Sequence, residues 1–445
     1  MKKFLSVVMC AAVVLSLTAC NNSEESVISS DISTNNNSSA ENNSPVTTPA
    51  SAAESNVPVS DIENGEPARP VAQDVDIADL EYIEENGGIT ITRYNGNNVQ
   101  VVFPAEINGI PVRKIGNGDN VLNGALPESV VIPDGVTSLG ARAFLRGSNL
   151  AYITIPKSVT DFGVSIIESG VYTPFTNTMW LSIKKDEDPL VIVNNVVIDG
   201  RRCAGSVEIP EGVRSIASCA FSYCTTITDI SFPESLETIG GRAFLGCEQL
   251  TEIALPDSVT DIGHFAFRGC SALEEVALPD NNNIVIGRDI FYNYRNDGER
   301  GTSPVPWLEE MQDEDPLVIV NSILVDGGKC SGGVVVPDSV KTVAYGAFDG
   351  ASKLESLMLP DGITVIPGRF VSGCTALQSI TIPDSVTEIG GKAFENCRSL
   401  RSITLPDSVS RLDANAFADF NADIIYRGTT YSSGQYNKLY AAVKG

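Results

Sequence analysis

Ten of the 24 prolines set a strict frame for this chain: they stand at 133, 156, 210, 233, 256, 279, 337, 360, 383 and 406. Seven of the nine successive gaps are 23 residues, and the other two are 54 and 58. A fixed period of this length restricts the chain to an array, because one such unit has too little apolar surface to fold alone and must pack on its neighbours. An array also escapes the two or three compact domains that 445 residues with 42% apolar content would otherwise form.

One clear unit runs Leu250-x-x-Ile253-x-Leu255-Pro256-Asp257-Ser258-Val259-Thr260-x-Ile262-Gly263-x-x-Ala266-Phe267-x-x-Cys270. It recurs as Leu377, Ile380, Ile382, Pro383, Asp384, Ser385, Val386, Ile389, Gly390, Ala393, Phe394 and Cys397. Ile253 and Leu255 alternate with Glu252 and Ala254, so a short strand points aliphatic side chains inward and the others outward. Pro256-Asp257 ends the strand in a turn, Val259 and Ile262 lead back across the core, and Gly263 permits a tight bend. Ala266-Phe267 then fit one helical turn that drops a ring inside. Stacking at ~4.8 Å would join the strands into a parallel ladder over one long core.

This unit resembles the BspA-type leucine-rich repeats of bacterial surface proteins, over roughly residues 80 to 445. The fold class expected is a leucine-rich-repeat solenoid, mainly β with short helical turns: a single elongated array with a parallel strand ladder and terminal caps. Residues 77–116, with Thr90 to Gly96 and Val101 to Val112, are similar to the family's opening unit and read as a cap whose hairpin turns near Asn95-Gly96. Repeats occupy 117–422, with variant inserts at 157–209 and 280–336. In the closing cap, 423–445, Tyr436, Leu439, Tyr440 and Val443 have the spacing of a short amphipathic helix.

The chain starts with Lys2 and Lys3 and an apolar stretch from Phe4 to Leu17, the pattern of a secretory signal over 1–19. Leu17-Thr18-Ala19-Cys20 resembles the lipobox of bacterial lipoprotein precursors, which implies lipidation at Cys20 and anchoring to the outer face of the cell membrane. Residues 20–76 are rich in Ser and Asn and poor in clustered apolar groups. They read as a disordered tether with an rms reach of roughly 40 Å.

The two long gaps copy one another: Asp186 to Asn194 recurs unchanged as Asp313 to Asn321, and Trp180 and Cys203 recur as Trp307 and Cys330. Each insert reads as a helix near its Trp, a strand at Leu190 to Val193 or Leu317 to Val320, and a return through the Cys. The two tryptophans either form a paired contact site or pack their own helices on the core. Cys224, Cys247, Cys270, Cys374 and Cys397 each lie 14 residues after a repeat proline, where Gly147 and Ala351 stand in other units. That favours free buried thiols, and hence an anaerobic or reducing setting, over disulfides or zinc.

Net charge of −26, from 30 Lys+Arg and 56 Asp+Glu, opposes nucleic-acid binding. Asp134, Glu211, Glu234, Asp257, Asp280, Asp338, Asp361, Asp384 and Asp407 follow repeat prolines, where they cap turns or bind Ca²⁺ weakly between rungs. His264 is the one histidine and falls where other units have Ala141, Gly241 or Gly391, so no catalytic residue, metal site or cofactor is assigned.

Binding is the favoured class, through a candidate ligand face of outward strand positions: Tyr152, Thr154, Asp229, Ser231, Glu252, Glu275, Ser356, Met358, Ser379, Thr381, Ser402 and Thr404. The expected partner of this monomer is a host or surface protein, or a polysaccharide. The alternatives are a scaffolding component of the envelope and, more remotely, a glycan-active enzyme. A melting curve unmoved by millimolar Ca²⁺ would discard the cation reading of the acidic column.

Overall fold

The computed structural model describes residues 73–444 apart from 168–169, 282–283 and 295–301. The signal segment, Cys20 and the tether up to residue 72 lie outside the described residues. The chain is a mainly β solenoid in which each unit is tied to the next along three seams. The first is the expected ladder: Ser129–Val131 pairs in parallel with Tyr152–Thr154, Glu252–Ala254 with Glu275–Ala277, and Lys353–Met358 with Ser379–Thr381. Ile253 is buried between exposed Glu252 and Ala254, as the alternation requires. Leu255 N donates to Ala277 O at 3.0 Å, and Pro256, lacking an N–H, stops the ladder there. The repeated serine two residues on has its own task. Ser258 Oγ donates to Leu236 O at 2.6 Å, as Ser235 does to Val213 O, Ser385 to Ile363 O and Ser408 to Val386 O.

The second seam is a correction. The segment read as a simple return across the core is itself a ladder of two-residue strands: Ser215–Ile216, Thr238–Ile239, Asp261–Ile262 and Val285–Ile286 pair in parallel. The glycine after each strand is needed for close approach rather than for a special bend. A Cβ on Gly263 would lie 2.4 Å from Gly241 N, and one on Gly240 2.4 Å from Ser218 N.

The third seam runs through turns. The residue nine after the proline is left-handed in unit after unit: Arg142, Cys219, Arg242, Phe265, Arg369 and Lys392 have φ between 55° and 62°. That conformation aims the N–H at the next rung, as in Arg242 N to His264 O at 2.9 Å and Phe265 N to Arg288 O at 2.7 Å. Two residues later the phenylalanine N–H does the same, Phe244 N donating to Ala266 O at 2.8 Å.

These phenylalanines form the spine of the core. Phe221, Phe244, Phe267 and Phe291 stack at 4.9, 5.1 and 5.9 Å, all buried. Phe348 meets Phe370 edge-on at 5.5 Å, because in that rung the ring sits one residue early and Val371 takes its column. All eight described cysteines are free and buried. Their thiols also meet a hydrogen-bonding need: Cys247 Sγ donates to Phe221 O at 3.3 Å, Cys270 to Phe244 O at 3.3 Å and Cys374 to Phe348 O at 3.1 Å. Burial pushes the Cys397 thiol up to about 12, and those of Cys203, Cys219 and Cys330 to about 11.

Gln73–Asp74 already pair in parallel with Val101–Val102, so the solenoid starts ahead of the tether boundary read at residue 76. The first hairpin joins Leu80–Glu85 to Gly88–Tyr94, and it turns at Asn86-Gly87 (φ 52° and 73°) rather than at Asn95-Gly96. Gly88–Tyr94 continues in parallel with Ile110–Ile115, and the outer strand covers this edge with Glu81, Glu84 and Glu85. At the far end Asp423–Tyr426 pairs with Ser402–Leu405 and with Thr429–Tyr431. The helix Tyr436–Lys444 then buries Leu439 and Val443.

Two predictions follow from this packing. The eight thiols are expected to resist Ellman-type labelling at mildly alkaline pH until denaturant is added; rapid labelling of the native protein would contradict their burial. Phe244→Ala is expected to cost about 3–5 kcal/mol in denaturant unfolding, since its neighbours on both sides lose a stacked ring.

Candidate functional site

Of the outward strand positions named from the sequence, Asp229 and Ser356 are half-buried and the others are exposed. The structure does not unite them. Asp229, Ser231, Glu252 and Glu275 share one stretch, where Glu252 lies in register beside Glu275 along a shallow depression of about 600 Å³. Ser206 Oγ donates to Asp229 at 2.6 Å, which takes up part of that carboxylate. Ser356, Met358, Ser379 and Thr381 form a second stretch, with Ser402 and Thr404 on the neighbouring strand. Tyr152 and Thr154 stand apart in the first segment, paired only with Ser129–Val131.

The sequence reading missed Val335. It is 66% exposed and in register with Met358, 50% exposed, so the two make an apolar step on an otherwise polar face. The signal was available: both stand two residues before a repeat proline, Pro337 and Pro360.

Of the two readings of the tryptophans, the packing one describes their surroundings. Trp180 lies in helix α1 (Met179–Glu187) and Trp307 in helix α2 (Pro306–Glu314), and both are buried. Phe175 packs on Trp180 at 4.6 Å and Phe291 on Trp307 at 4.9 Å. The backbone N–H of Trp180 donates to Leu150 O and that of Trp307 to Leu273 O, which pins the start of each helix to the preceding rung. They anchor the inserts inward and offer no paired contact surface. Thr178 caps α1 by accepting from Leu181 N, whereas α2 begins on Pro306.

After each helix the chain makes a hairpin, Val191–Val193 against Val196–Asp199 and Val318–Val320 against Ile323–Asp326. The inner strand of each opens a new stretch of the second seam. Asn194 and Asn321, left-handed at the hairpin turns, clasp the preceding rung: Asn194 Nδ2 donates to Pro156 O and Val159 O, and Asn321 Nδ2 to Leu278 O.

These hairpins end on a buried acid that the sequence reading did not single out. Asp199 is held by Lys185 Nζ at 2.8 Å and by the Arg201 guanidinium. Burial works to raise its pKa, but Arg201 and Lys185 outweigh burial and hold the carboxyl below its ordinary value. Asp326 occupies the equivalent place 127 residues later, where Gln312 replaces Lys185 and Gly328 replaces Arg201. It accepts from Gln312 Nε2 at 2.8 Å, from Gly328 N at 2.9 Å and from the Tyr292 hydroxyl. Without a paired cation, burial dominates and lifts this carboxyl above the usual range. The 127-residue offset pairs the two acids and exposes their exchanged partners, so this contrast was legible in the sequence.

His264 is exposed, with its Nδ1 accepting from Arg288 N at 2.7 Å and its ring edge-on to Tyr345 at 5.0 Å. In the acidic column Asp257 Oδ1 accepts from Asp280 N at 2.8 Å, a turn-capping contact between rungs. Among the described residues no group of three or more His, Cys, Asp or Glu is placed to hold a metal ion.

A sequence profile described as the BspA type leucine rich repeat region matches in six copies, over residues 117–172, 201–297 and 330–430, more than half of the chain. The chain belongs to the BspA-type leucine-rich repeat family. No curated protein matches it. Solved structures do, among them a leucine rich cell surface protein from Faecalibacterium prausnitzii A2-165, 27% identical over 83% of this chain and 97% of that one, with a TM-score of 0.33. A leucine-rich repeat protein from Bacteroides ovatus is 22% identical over 79% and 90% of the two chains (TM-score 0.22). The pneumococcal vaccine antigen PcpA is 14% identical over 80% and 85% (TM-score 0.27).

In this BspA-type solenoid the two buried acids should respond oppositely to loss of charge. Asp199→Asn strands two cations and is expected to cost about 3–5 kcal/mol at neutral pH. Because the folded pKa of Asp199 is depressed, its stabilisation is present above the unfolded value and is lost as pH falls. Asp326 has a raised folded pKa, so its charge opposes folding at neutral pH. Asp326→Asn should therefore raise the melting temperature there, with the gain vanishing on acidification. Equal losses in both variants would refute the contrast.

Proposed function

We propose that this chain is an exported, lipid-anchored recognition protein that binds a protein or a polysaccharide of another surface as a monomer, through the exposed strand face. One observation carries the reading. Outward side chains repeat in register from rung to rung within each stretch, giving an acidic stretch at Glu252 and Glu275 and, separate from it, an apolar step at Met358 and Val335. A laterally extended surface of this kind suits a large partner, which many small contacts can hold around a few anchors. The Lys2-Lys3 signal, Cys20 and the Ser/Asn-rich tether support an address on the outer face of the membrane. Among the described residues no helix is long and apolar enough to cross a membrane.

Glycan arrays and pull-downs from host and neighbouring-cell surfaces would test it. A saturable partner is expected, with Met358→Arg and Glu252→Arg each weakening binding at least tenfold, about 1.4 kcal/mol, at unchanged melting temperature. Binding confined to the producer's own envelope material would replace recognition by scaffolding, and turnover of a glycan would overturn both.

A further inference from the structure

The two inserts are an internal comparison: the same rung, built twice, with different chemistry at one place. In the first, Ile198, Ala217 and Ser218 line a crevice of about 10 Å³ together with Phe162, Val164 and Phe175. In the second, Val325, Ala344 and Tyr345, the residues 127 positions later, line a cavity of about 550 Å³. That volume is in the range that holds small ligands. Close packing is the default for such a seam.

The walls differ as much as the volume. Arg268, Arg288 and Lys329 line the second cavity together with Asp289 and Tyr345. The guanidiniums of Arg242, Arg268 and Arg288 converge on the Phe265 ring at 4.9, 5.1 and 5.8 Å. Asp289 lies between two of them, 3.8 Å from Arg268 and 3.3 Å from Arg288. The other acids of the cavity are engaged elsewhere: Asp349 by Arg369 at 2.7 Å, and Asp326 by Tyr292, Gln312 and Gly328. Gln312, 6% exposed, leaves its Oε1 without a hydrogen-bond partner beside this space. A cluster of guanidiniums is unexpected in a chain of net charge −26. Guanidiniums held together in a half-buried wall repel one another, and their planar forks match carboxylate or phosphate oxygens.

We propose that the second insert carries a binding site for a small anionic, hydroxyl-bearing ligand, of the class of sugar acids and sugar phosphates, in the cavity at its seam. Arg288 holds the anionic group with Arg268 beside it, Asp289 competes for the Arg288 guanidinium, and the Tyr345 ring offers a face to the body of the ligand. Asp326 acts as a positioning residue that fixes Tyr292 and Gln312. The site is separate from the strand face and does not depend on what that face binds.

Isothermal titration of the intact protein with glucuronate, glucose 6-phosphate and glucose tests the proposal. Saturable binding of at least one anionic sugar is expected, with none of glucose over the same range, and the ranking of the two anions identifies the preferred group. Arg288→Gln should weaken binding tenfold or more, while Asp289→Asn should tighten it by releasing the Arg288 guanidinium from its ion pair, a gain that a purely structural role would not produce. Met358→Arg should leave this binding unchanged, which separates a failure here from a failure at the strand face. Absence of binding to both anions, equal binding of glucose, or unchanged affinity in Arg288→Gln would overturn the site. If Arg288→Gln does not fold, unchanged or weakened affinity in Asp289→Asn does so.

Discussion

The solenoid depends on backbone hydrogen bonds made across rungs. A unit of 23 residues cannot satisfy its own N–H and C=O groups, since its strands are short, such as Glu252–Ala254 and Asp261–Ile262, and its turns are single. Each must therefore find a partner one rung away. The residue nine positions after the proline, left-handed in unit after unit, shows how strongly this requirement acts. Arg242 and Phe265 adopt a conformation that costs roughly 1–2 kcal/mol, and in return their N–H groups reach His264 O and Arg288 O. Leaving such a donor buried and unpaired would cost about as much or more. Side-chain choices follow the same rule, as serine hydroxyls and cysteine thiols take carbonyl oxygens that the backbone leaves over.

The inserts interrupt the array without breaking it. Each brings a helix pinned by a buried tryptophan and a hairpin whose inner strand restarts the second seam. The asparagine at the hairpin turn meets two demands at once: it tolerates positive φ, and its amide ties the new strand to the old rung. Once this framework is satisfied, the residues around it are free to diverge. Asp199 sits in a compact ion-paired group, whereas Asp326 sits among uncharged hydrogen-bond donors beside open space. The exchange of Lys185 for Gln312 and Arg201 for Gly328 gives two equivalent carboxylates opposite pKa directions.

Much of the fold was legible because a 23-residue period leaves few alternatives. The proline, the aliphatic alternation and the phenylalanine column each have a single physical use once units stack, and the structure has them in those uses. Two elements were read differently for identifiable reasons. Asp261–Ile262 is too short to announce itself as a strand, and it becomes one only because Thr238–Ile239 and Val285–Ile286 flank it. The hairpin turn was placed at Asn95-Gly96, although Asn86-Gly87 and Asn108-Gly109 carry the same dipeptide and have the positive φ that the turn requires. A dipeptide signals that a turn is affordable, and the pairing of the strands around it decides where it occurs.

The sequence by itself determined the repeat, its register, the buried columns and the duplication of the inserts, because each is a statement about spacing along one chain. Only the tertiary structure decided which outward residues become neighbours, that the tryptophans face inward, and that the seam of the second insert leaves a cavity. Those outcomes depend on distances between residues far apart in the chain, such as Phe265 and Arg288 or Tyr292 and Asp326. Periodicity fixes the rung a residue belongs to; packing across rungs fixes what it meets.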